Sequence, residues 1–222
     1  MTELPESTRV KPKVVLVGSG GHAKVIIEIL EEQPSVEIAG CTTCDRAQSR
    51  LLDYSVLGTD DELGRLFAAG IHHAFIAIGD NQRRRSAALR ALELGFTLVN
   101  AVSIKATISP RTTLGFGVAV MPGAVINSGT CIGNGAVVNT GATVDHDCVL
   151  GDYVHLAPGA NLAGRVEVSE GALVGIGSCV IPGIKIGCWA VVGAGAVVVR
   201  NVPHHSTEAG VPARPIKSRP ST

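Results

Sequence analysis

The sequence predicts two structural parts: a small α/β domain with a parallel sheet, followed by a parallel β-solenoid. Two patterns lead to this fold class. In residues 13–100, short apolar runs alternate with segments of helical spacing. From residue 101 the chain divides into seventeen consecutive hexads, and the second place of each one is Val, Ile or Leu. Since hydrophobic residues make up 45% of the chain and aromatic residues only 3%, the core must be aliphatic.

The first part has the element order of a Rossmann-like domain. Because strands and helices alternate, we expect a parallel sheet with right-handed crossovers. Helices are predicted over 20–31, 60–70 and 81–95, and strands over 13–18, 36–41, 73–79 and 96–100. The predicted boundaries are a flexible N-terminus at 1–12, the sheet domain at 13–100, the solenoid at 101–202 and a C-terminal tail at 203–222.

The loop after the first strand is typical of a phosphate site. Gly18 to Ala23 reads G-x-G-x-x-A and opens a helix, whose free N–H groups favour an anion. An NAD site would also need an acidic residue at the end of the second strand, and Asp45 comes late. Nucleotide-sugar binding, NAD binding and a purely structural turn therefore all remain open. Arg83 or Arg84, after the third strand, is a candidate partner for a diphosphate. The alternative is that both belong to a solvated helix face.

The six-residue period indicates a triangular solenoid with three hexads in each coil. A helix would repeat every 3.6 residues and a half-buried strand every two, so neither fits. The aliphatic residue of each hexad should fill the interior, and Gly, Asn and Asp suit the turns. A non-catalytic solenoid is the alternative to an enzyme.

His146 is the candidate catalytic residue of the solenoid. It stands two places after the inward Val144 and should therefore point outward, between Asp145 and Asp147. One coil later, 18 residues on, lies Gly164, which leaves room beside the imidazole. An imidazole supported by a carboxylate suits a general base, although a plain surface histidine is the alternative. A flat solenoid side leaves little pocket, so we expect a neighbouring protomer to supply a second wall.

Composition argues against several other functions. Lys plus Arg equals Asp plus Glu, so no basic field is available for nucleic acid. No apolar run is long enough to span a membrane, and no secretory signal is evident, so we expect a cytoplasmic protein with reduced cysteines. Cys41 and Cys44 form one C-x-x-C pair without two further ligands, so no metal site is predicted.

Taken together, these motifs resemble the PglD/NeuD-type sugar acetyltransferases. The resemblance covers about residues 13–217 and is carried by GSGGHAK, IAIGDNQRR, VDHDCVLGDYVHLAPGANLAG, GIGSCVIPG and GVPARPIK. It implies a left-handed parallel β-helix, a homotrimer and acetyl-CoA as co-substrate. One departure is the sequence CTTCD after the second strand, where family members often carry an acidic stretch.

The resemblance also implies roles for individual residues. His146 corresponds to the base, Asp147 to its acidic support, and His155 to the histidine near the thioester. The remaining positions fall into two sets. The coenzyme groove is implied at Ile176, Gly193 and Ala194, and the nucleotide site at Ser19, Gly20, Gly21, Gly79 and Asn81.

The expected function is N-acetylation of a UDP-linked 4-amino-4-deoxy sugar, by direct attack of the amine on the thioester. Alternatives are a sugar O-acetyltransferase of the sialic-acid type and a GDP-amino-sugar N-acetyltransferase. A sugar-nucleotide-binding scaffold is the non-enzymatic alternative.

Overall fold

The computed structural model describes residues 11–45 and 47–218. The N-terminal domain is a six-stranded sheet in the order β3-β4-β2-β1-β5-β6, parallel except between β3 and β4. Its helices are α1 (Gly21–Glu31), α2 (Leu63–Ala68), preceded by a 3-10 turn (Asp60–Glu62), and α3 (Asn81–Glu93). Its strands are β1 (Lys13–Val17), β2 (Glu37–Thr43), β3 (Arg50–Leu51), β4 (Tyr54–Thr59), β5 (His73–Ile76) and β6 (Thr97–Leu98).

The strand β4 was not anticipated from the sequence. It pairs in parallel with β2, although no helix connects them. Close approach explains the pairing: a Cβ added at Gly40 would lie 2.6 Å from the carbonyl oxygen of Ser55. None of the residues of β4 is fully buried, so the apolar pattern of this strand is weak in the sequence.

The solenoid is a left-handed parallel β-helix built from two-residue strands. Paired residues lie 18 apart, as in Ala119 with Val137, so one coil contains three hexads as predicted. The strands form three flat faces, and we name each face by its strands. Face 1 contains β7 (Ala101–Val102), β10 (Ala119–Val120), β13 (Val137–Val138), β16 (His155–Leu156), β19 (Leu173–Val174) and β22 (Val191–Val192). Face 2 contains β8 (Thr107–Ile108), β11 (Val125–Ile126), β14 (Thr143–Val144), β17 (Asn161–Leu162), β20 (Cys179–Val180) and β23 (Val197–Val198). Face 3 contains β9 (Thr113–Leu114), β12 (Cys131–Ile132), β15 (Val149–Leu150), β18 (Glu167–Val168) and β21 (Lys185–Ile186).

The interior of the β-helix is filled by the second residue of each hexad. From Val120 to Val198 these aliphatic side chains are almost fully buried. Val102, Ile108 and Leu114 are only partly buried, because no coil lies below the first one. The aliphatic core follows from the hexad pattern. Each coil places one Val, Ile or Leu from each of its three faces in the interior, and these fill the space, so aromatic side chains do not fit there.

Residues 203–218, which the sequence analysis assigned to a C-terminal tail, remain packed on the β-helix. Strand β24 (Ser206–Ala209) pairs in parallel with β22 on face 1. Strand β25 (Arg214–Ser218) then pairs with β24 in the antiparallel direction. The last strand of the described chain therefore runs against the direction of all the coils.

The N-terminal domain packs on face 1. Apolar residues of α1, including Ile26 and Leu30, share a core with Ala119 and Val137. At the other end of the sheet, the Arg85 guanidinium lies 2.9 Å from the carboxylate of Glu170. In residues 11–45 and 47–218, the N-terminal domain thus covers one side of the β-helix, face 1, and not faces 2 and 3.

Candidate active site

The glycine-rich loop between β1 and α1 borders a cavity of about 440 Å³. Gly18 has φ +109°, and a Cβ there would lie 3.0 Å from the carbonyl oxygen of Ala77. At Gly20 and Gly21 an added Cβ would meet no atom within 4 Å, so these two residues face open space. The loop therefore turns tightly at its first glycine and exposes its backbone to a ligand at the next two.

Polar side chains form the far wall of this cavity, which we name the nucleotide cavity after the site that the loop sequence predicts. The Ser19 hydroxyl lies 2.7 Å from both Thr43 Oγ1 and Gln48 Oε1. The Gln48 amide also donates to the carbonyl of Arg50. Sequence reasoning missed Thr43 and Gln48, because nothing in the linear pattern places residues 43 and 48 beside residue 19.

The two cysteines of the C-x-x-C pair lie in different environments. Cys41 is buried in β2, and burial raises the pKa of its thiol. Cys44 is exposed and lines the nucleotide cavity. Within residues 11–45 and 47–218, no group of three His, Cys, Asp or Glu side chains is arranged to hold a metal ion.

The structure places Arg83 and Arg84, the two candidate partners of a diphosphate, in different environments. Arg83 is exposed and lines the nucleotide cavity. Arg84 is fully buried between the domains, where its guanidinium donates to the carbonyls of Gly135 and Tyr153 at 2.8 and 2.9 Å. It also donates to the carbonyls of Ile78 and Gly79 and to Asn81 Oδ1. Arg84 therefore joins the domains and has no free donor for a phosphate.

Asn81 takes part in the same junction. Its side-chain amide donates to the carbonyls of Gly171 and Ala172 at 3.0 and 3.2 Å, and its oxygen accepts from Arg84. Both ends of the side chain are thus used within the protein. A role for Asn81 in substrate binding would have to use its backbone N–H at the start of α3.

A second cavity, of about 340 Å³, lies between the start of α3 and face 1 of the β-helix. It shares Gly79 and Asp80 with the nucleotide cavity, so the two form one groove. His155 lies in its wall. We name it the inner cavity.

The hydrogen bonds of His155 fix its tautomer. Asn139 Oδ1 accepts from the Thr140 N–H at 2.8 Å, which leaves the amide nitrogen of Asn139 to donate to His155 Nε2 at 3.0 Å. The ring proton is therefore on Nδ1. Burial, with the nearby Arg84 charge and His22 as smaller causes, lowers the pKa of His155 to about 4. A neutral His155 with an occupied Nε2 is a poor general base at neutral pH.

His146 lies in a contrasting environment on the corner between β14 and β15. About half of its side chain is exposed, and its Nδ1 lies 2.9 Å from Asp147 Oδ2. The carboxylate fixes the proton on Nδ1 and leaves Nε2 as the basic nitrogen. Asp147 has φ +58°, and a Cβ on Gly129 below it would lie 2.5 Å from its Oδ1. Glycine at 129 thus makes room for the carboxylate that orients the ring.

Asp145 supports this corner from the other side. Its Oδ1 accepts from the His146 N–H at 2.8 Å and from the Asn127 amide at 3.1 Å. These hydrogen bonds lower the pKa of the Asp145 carboxyl. Asp145 therefore fixes the backbone of His146, whereas Asp147 fixes its ring.

The residues implied for the coenzyme groove lie together on another corner, between faces 1 and 2. Ile176 is 60% exposed, and Ala194 lies one coil above it. The Gly195 N–H donates to the carbonyl of Ile176 at 2.7 Å, which joins the two coils. His146 lies on the corner between faces 2 and 3, so face 2 separates it from this groove within one protomer.

Comparison with known proteins agrees with this architecture. Residues 13–91 match the family described as PglD N-terminal domain. A histidine-to-asparagine variant of perosamine N-acetyltransferase from Caulobacter crescentus, in complex with CoA and GDP-perosamine, is 45% identical; the match covers 93% of this chain and 97% of that one, with a TM-score of 0.90. The chain belongs to the PglD-type sugar N-acetyltransferases of the hexapeptide-repeat superfamily.

Two further relatives of this N-acetyltransferase family extend the comparison. The acetyltransferase domain of PglB from Neisseria gonorrhoeae, in complex with acetyl coenzyme A, is 36% identical over 93% of this chain and 100% of that one, with a TM-score of 0.86. GDP-perosamine N-acetyltransferase of Escherichia coli O157:H7 is 27% identical over 93% of this chain and 97% of its own length. The predicted fold, family and acetyl-CoA-dependent acyltransferase class are confirmed. No helix in the described part of the chain is long and apolar enough to cross a membrane.

Proposed function

We propose that this enzyme transfers the acetyl group of acetyl-CoA to the amino group of a GDP-linked amino sugar of the perosamine kind. The observation that carries the proposal is the 45% identity, over 93% of the chain, to an enzyme crystallised with CoA and GDP-perosamine. A second relative of nearly full length is also named for GDP-perosamine. Both favour the GDP-linked alternative over the UDP-linked sugar that the sequence reasoning preferred.

The nucleotide cavity is suited to the diphosphate end of such a substrate. Gly20 and Gly21 open the N-terminus of α1, and Arg83 supplies a positive charge nearby. The groove continues past Gly79 and Asp80 to His155, which gives the sugar a path toward the β-helix. Ser19 and Gly79 border the same path.

We assign the general base to His146. As the sugar nitrogen bonds to the acetyl carbon and the carbon–sulfur bond breaks, a proton must leave the nitrogen. His146 Nε2 receives it, and Asp147 stabilises the resulting imidazolium through Nδ1. The imidazolium then gives this proton to the thiolate of CoA, which is the leaving group, and His146 is neutral again. His155 lies beside the groove as a neutral residue, because its lowered pKa keeps it unprotonated at pH 7.

The enzyme should work as a homotrimer. Within one protomer, face 2 separates His146 from the corner that carries Ile176, Gly193 and Ala194. A closed ring of protomers packed through face 2 would bring the His146 corner of one copy to the groove of the next. In that arrangement each active site takes its base from one subunit and its nucleotide loop from another.

Thiol release from acetyl-CoA tests the function directly. With GDP-perosamine we expect turnover with a kcat/KM at least tenfold above that for a UDP-linked 4-amino sugar or free sialic acid. His146→Ala should lower kcat by roughly 10²–10⁴-fold. Preference for the UDP-linked sugar or for sialic acid would reject the proposed acceptor, and full turnover by His146→Ala would reject the base.

Mixed oligomers test the shared site. Gly20→Trp should fill the nucleotide cavity, since an added side chain meets no atom there. If base and loop come from different subunits, coexpressed His146→Ala and Gly20→Trp chains should regain activity that neither has alone. Continued inactivity of the mixture, with a measured trimer mass, would place both in one subunit.

A further inference from the structure

Three backbone carbonyls form a column on the corner between faces 3 and 1. They belong to Gly135, Tyr153 and Gly171, which occupy the same place in successive coils, 18 residues apart. In the described chain no backbone N–H donates to them, because the coils are joined here through the carbonyl of the preceding residue, as from Tyr153 N–H to Asn134. The column therefore offers free acceptors at the spacing of the coils, about 4.8 Å.

The start of α3 supplies the donors for this column. Arg84 Nε donates to the Gly135 carbonyl at 2.8 Å, and its Nη2 donates to the Tyr153 carbonyl at 2.9 Å. The side-chain amide of Asn81 donates to the Gly171 carbonyl at 3.0 Å. Asn81 and Arg84 are neighbours on the helix surface, three residues apart. One end of α3 is thus matched to three consecutive coils.

The remaining donors of Arg84 hold the turn that precedes α3. Its Nη1 donates to the carbonyls of Ile78 and Gly79 at 3.1 and 2.9 Å, and its Nη2 also donates to Asn81 Oδ1. All five N–H groups of the guanidinium are therefore used, and they lie in one plane. Gly79 borders both the nucleotide cavity and the inner cavity. The same planar group thus fixes a wall of the nucleotide cavity and two coils of the β-helix.

The apolar packing between the domains is less directional than this junction. Residues of α1 pack on face 1, and such packing tolerates small sliding and rotation because the hydrophobic effect has no preferred direction. Hydrogen bonds, in contrast, weaken steeply when their angles change. Domains of one chain move relative to each other unless their interface is large and apolar. The Arg84 junction is therefore suited to hold the nucleotide cavity in register with the β-helix.

We propose that Arg84 is a positioning residue for the acetyl transfer. It holds the nucleotide cavity, and thereby the acceptor bound there, at a fixed place relative to the β-helix, to which we assign the base and the coenzyme groove. Arg84 touches no substrate in this role, since all its donors are occupied. Placement matters for the rate, because an error of about 1 Å can cost about a hundredfold. The inference rests on the proposed function, since it assumes a nucleotide-linked acceptor.

Steady-state kinetics of Arg84→Met test the proposal. We expect kcat to fall at least about tenfold, because the acceptor is displaced from the thioester. The KM for the sugar nucleotide and the inhibition constant of GDP should each change less than about threefold, since the nucleotide cavity lies within the N-terminal domain. A rise of the GDP inhibition constant as large as the loss of kcat would overturn the proposal, because Arg84 would then serve nucleotide binding itself.

Leu63→Ala is the matched control for stability. Leu63 is buried in α2 and lines neither cavity, so its truncation leaves a hole in the core of the N-terminal domain. We expect it to lower the urea midpoint about as much as Arg84→Met does, while kcat stays within about twofold of the wild type. An equal loss of kcat in the two variants would overturn the proposal, because lower stability alone would explain both.

Arg84→Lys is the second variant, and it provides the test if Arg84→Met does not fold. Lysine keeps the positive charge, but its ammonium has three donors and no planar fork, so it cannot serve acceptors in both domains as arginine does. We expect kcat to fall at least about fivefold with an unchanged inhibition constant of GDP. Wild-type kcat in Arg84→Lys would overturn the positioning role.

Failure of the proposed function is distinguishable from failure of this inference. If the wild type acetylates a UDP-linked 4-amino sugar instead of GDP-perosamine, the proposed acceptor is wrong. The Arg84 variants are then assayed with that sugar, and UDP replaces GDP as the inhibitor. If the wild type turns over GDP-perosamine and both Arg84 variants keep its kcat, the positioning role is wrong and the proposed function stands.

Discussion

Gly164 lies directly above the imidazole of His146. A Cβ built at Gly164 would stand 2.5 Å from His146 Nε2 and 2.7 Å from Cε1. The backbone of Gly164 does not have a positive φ, so space and not conformation requires glycine here. Because Gly164 lies one coil, or 18 residues, after His146, the absence of a side chain at residue 164 provides the space that the imidazole occupies.

Gly164→Ala should displace the imidazole without unfolding the protein. We expect kcat to fall at least about tenfold with little change in the KM for the sugar nucleotide, because a shift of one ångström in a catalytic group is costly. Thiol-release kinetics and the thermal unfolding midpoint would measure both effects. Gly64→Ala in α2, where the nearest atom would be 3.9 Å away, is the control. Equal kcat in the two variants would contradict the proposed role of the space.

Asp147→Asn should lower kcat while the fold stays intact. Asparagine tolerates the left-handed backbone of this position, but its amide can donate to Nδ1 and so favour the wrong tautomer of His146. Asp145→Asn is the matched control, since Asp145 accepts from the backbone N–H and not from the ring. We expect the loss of kcat to be about tenfold larger for Asp147→Asn; a larger loss for Asp145→Asn would reverse the assignment of the two carboxylates.

Arg83→Met and Arg84→Met should separate binding from stability. Arg84→Met leaves five acceptors without their donor, two of them in fully buried hydrogen bonds, so we expect the free energy of unfolding to fall by roughly 2–5 kcal/mol. Arg83→Met should change stability by only about 0.5 kcal/mol but raise the KM for the sugar nucleotide. Urea unfolding and steady-state kinetics on both variants provide the comparison. A stable Arg84→Met protein would show that the domains do not depend on this junction.

The stability of the protein should decrease as the pH falls from about 6.5 to 4. Burial lowers the pKa of His155 to about 4, below its value of 6.5 in an unfolded chain, so the unfolded state binds more protons in this window. The contribution of His155 to the free energy of unfolding is present in full above pH 6.5 and is lost as the pH falls to 4. The whole loss amounts to about 3 kcal/mol. Urea unfolding of the wild type and of His155→Gln at pH 7 and pH 5 would measure the difference. The variant should show a smaller decrease; an equal decrease would remove His155 as the cause.

His22 belongs to the same buried group. Burial and the charge of Arg84 lower the pKa of His22 to about 4 as well. Among the described residues, none accepts from or donates to its buried Nε2. Because His22 and His155 influence each other, the effects of replacing them should not be additive.

The sequence predicted the β-helix well because its signal repeats. Each inward aliphatic residue, from Val120 to Val198, has the same environment one coil away, so a period of six is unambiguous. The outward position of His146 followed from the same register. Strand β4 was missed because its residues are only half-buried or exposed and so leave only a faint apolar pattern.

The contacts between the domains could not be predicted in this way. Arg84 looks like its exposed neighbours in the run of three arginines, and only the tertiary structure shows which of them is buried. The fixed tautomer of His155 likewise depends on Asn139, one coil away. The sequence does show that Trp189 stands at a corner position between faces 3 and 1 that is glycine in other coils. It could not predict the inner cavity beside Trp189, because residues of both domains line this cavity.

The reversed strand β25 gives the β-helix a defined end. A stack of parallel coils offers its last open edge to any further strand of the same direction, including one from another molecule. Pairing of β25 with β24 occupies that edge, and Pro215 within β25 has no N–H to offer beyond it. Strand β25 thus protects the enzyme against end-to-end polymerisation, a hazard created by the same regularity that makes the β-helix stable.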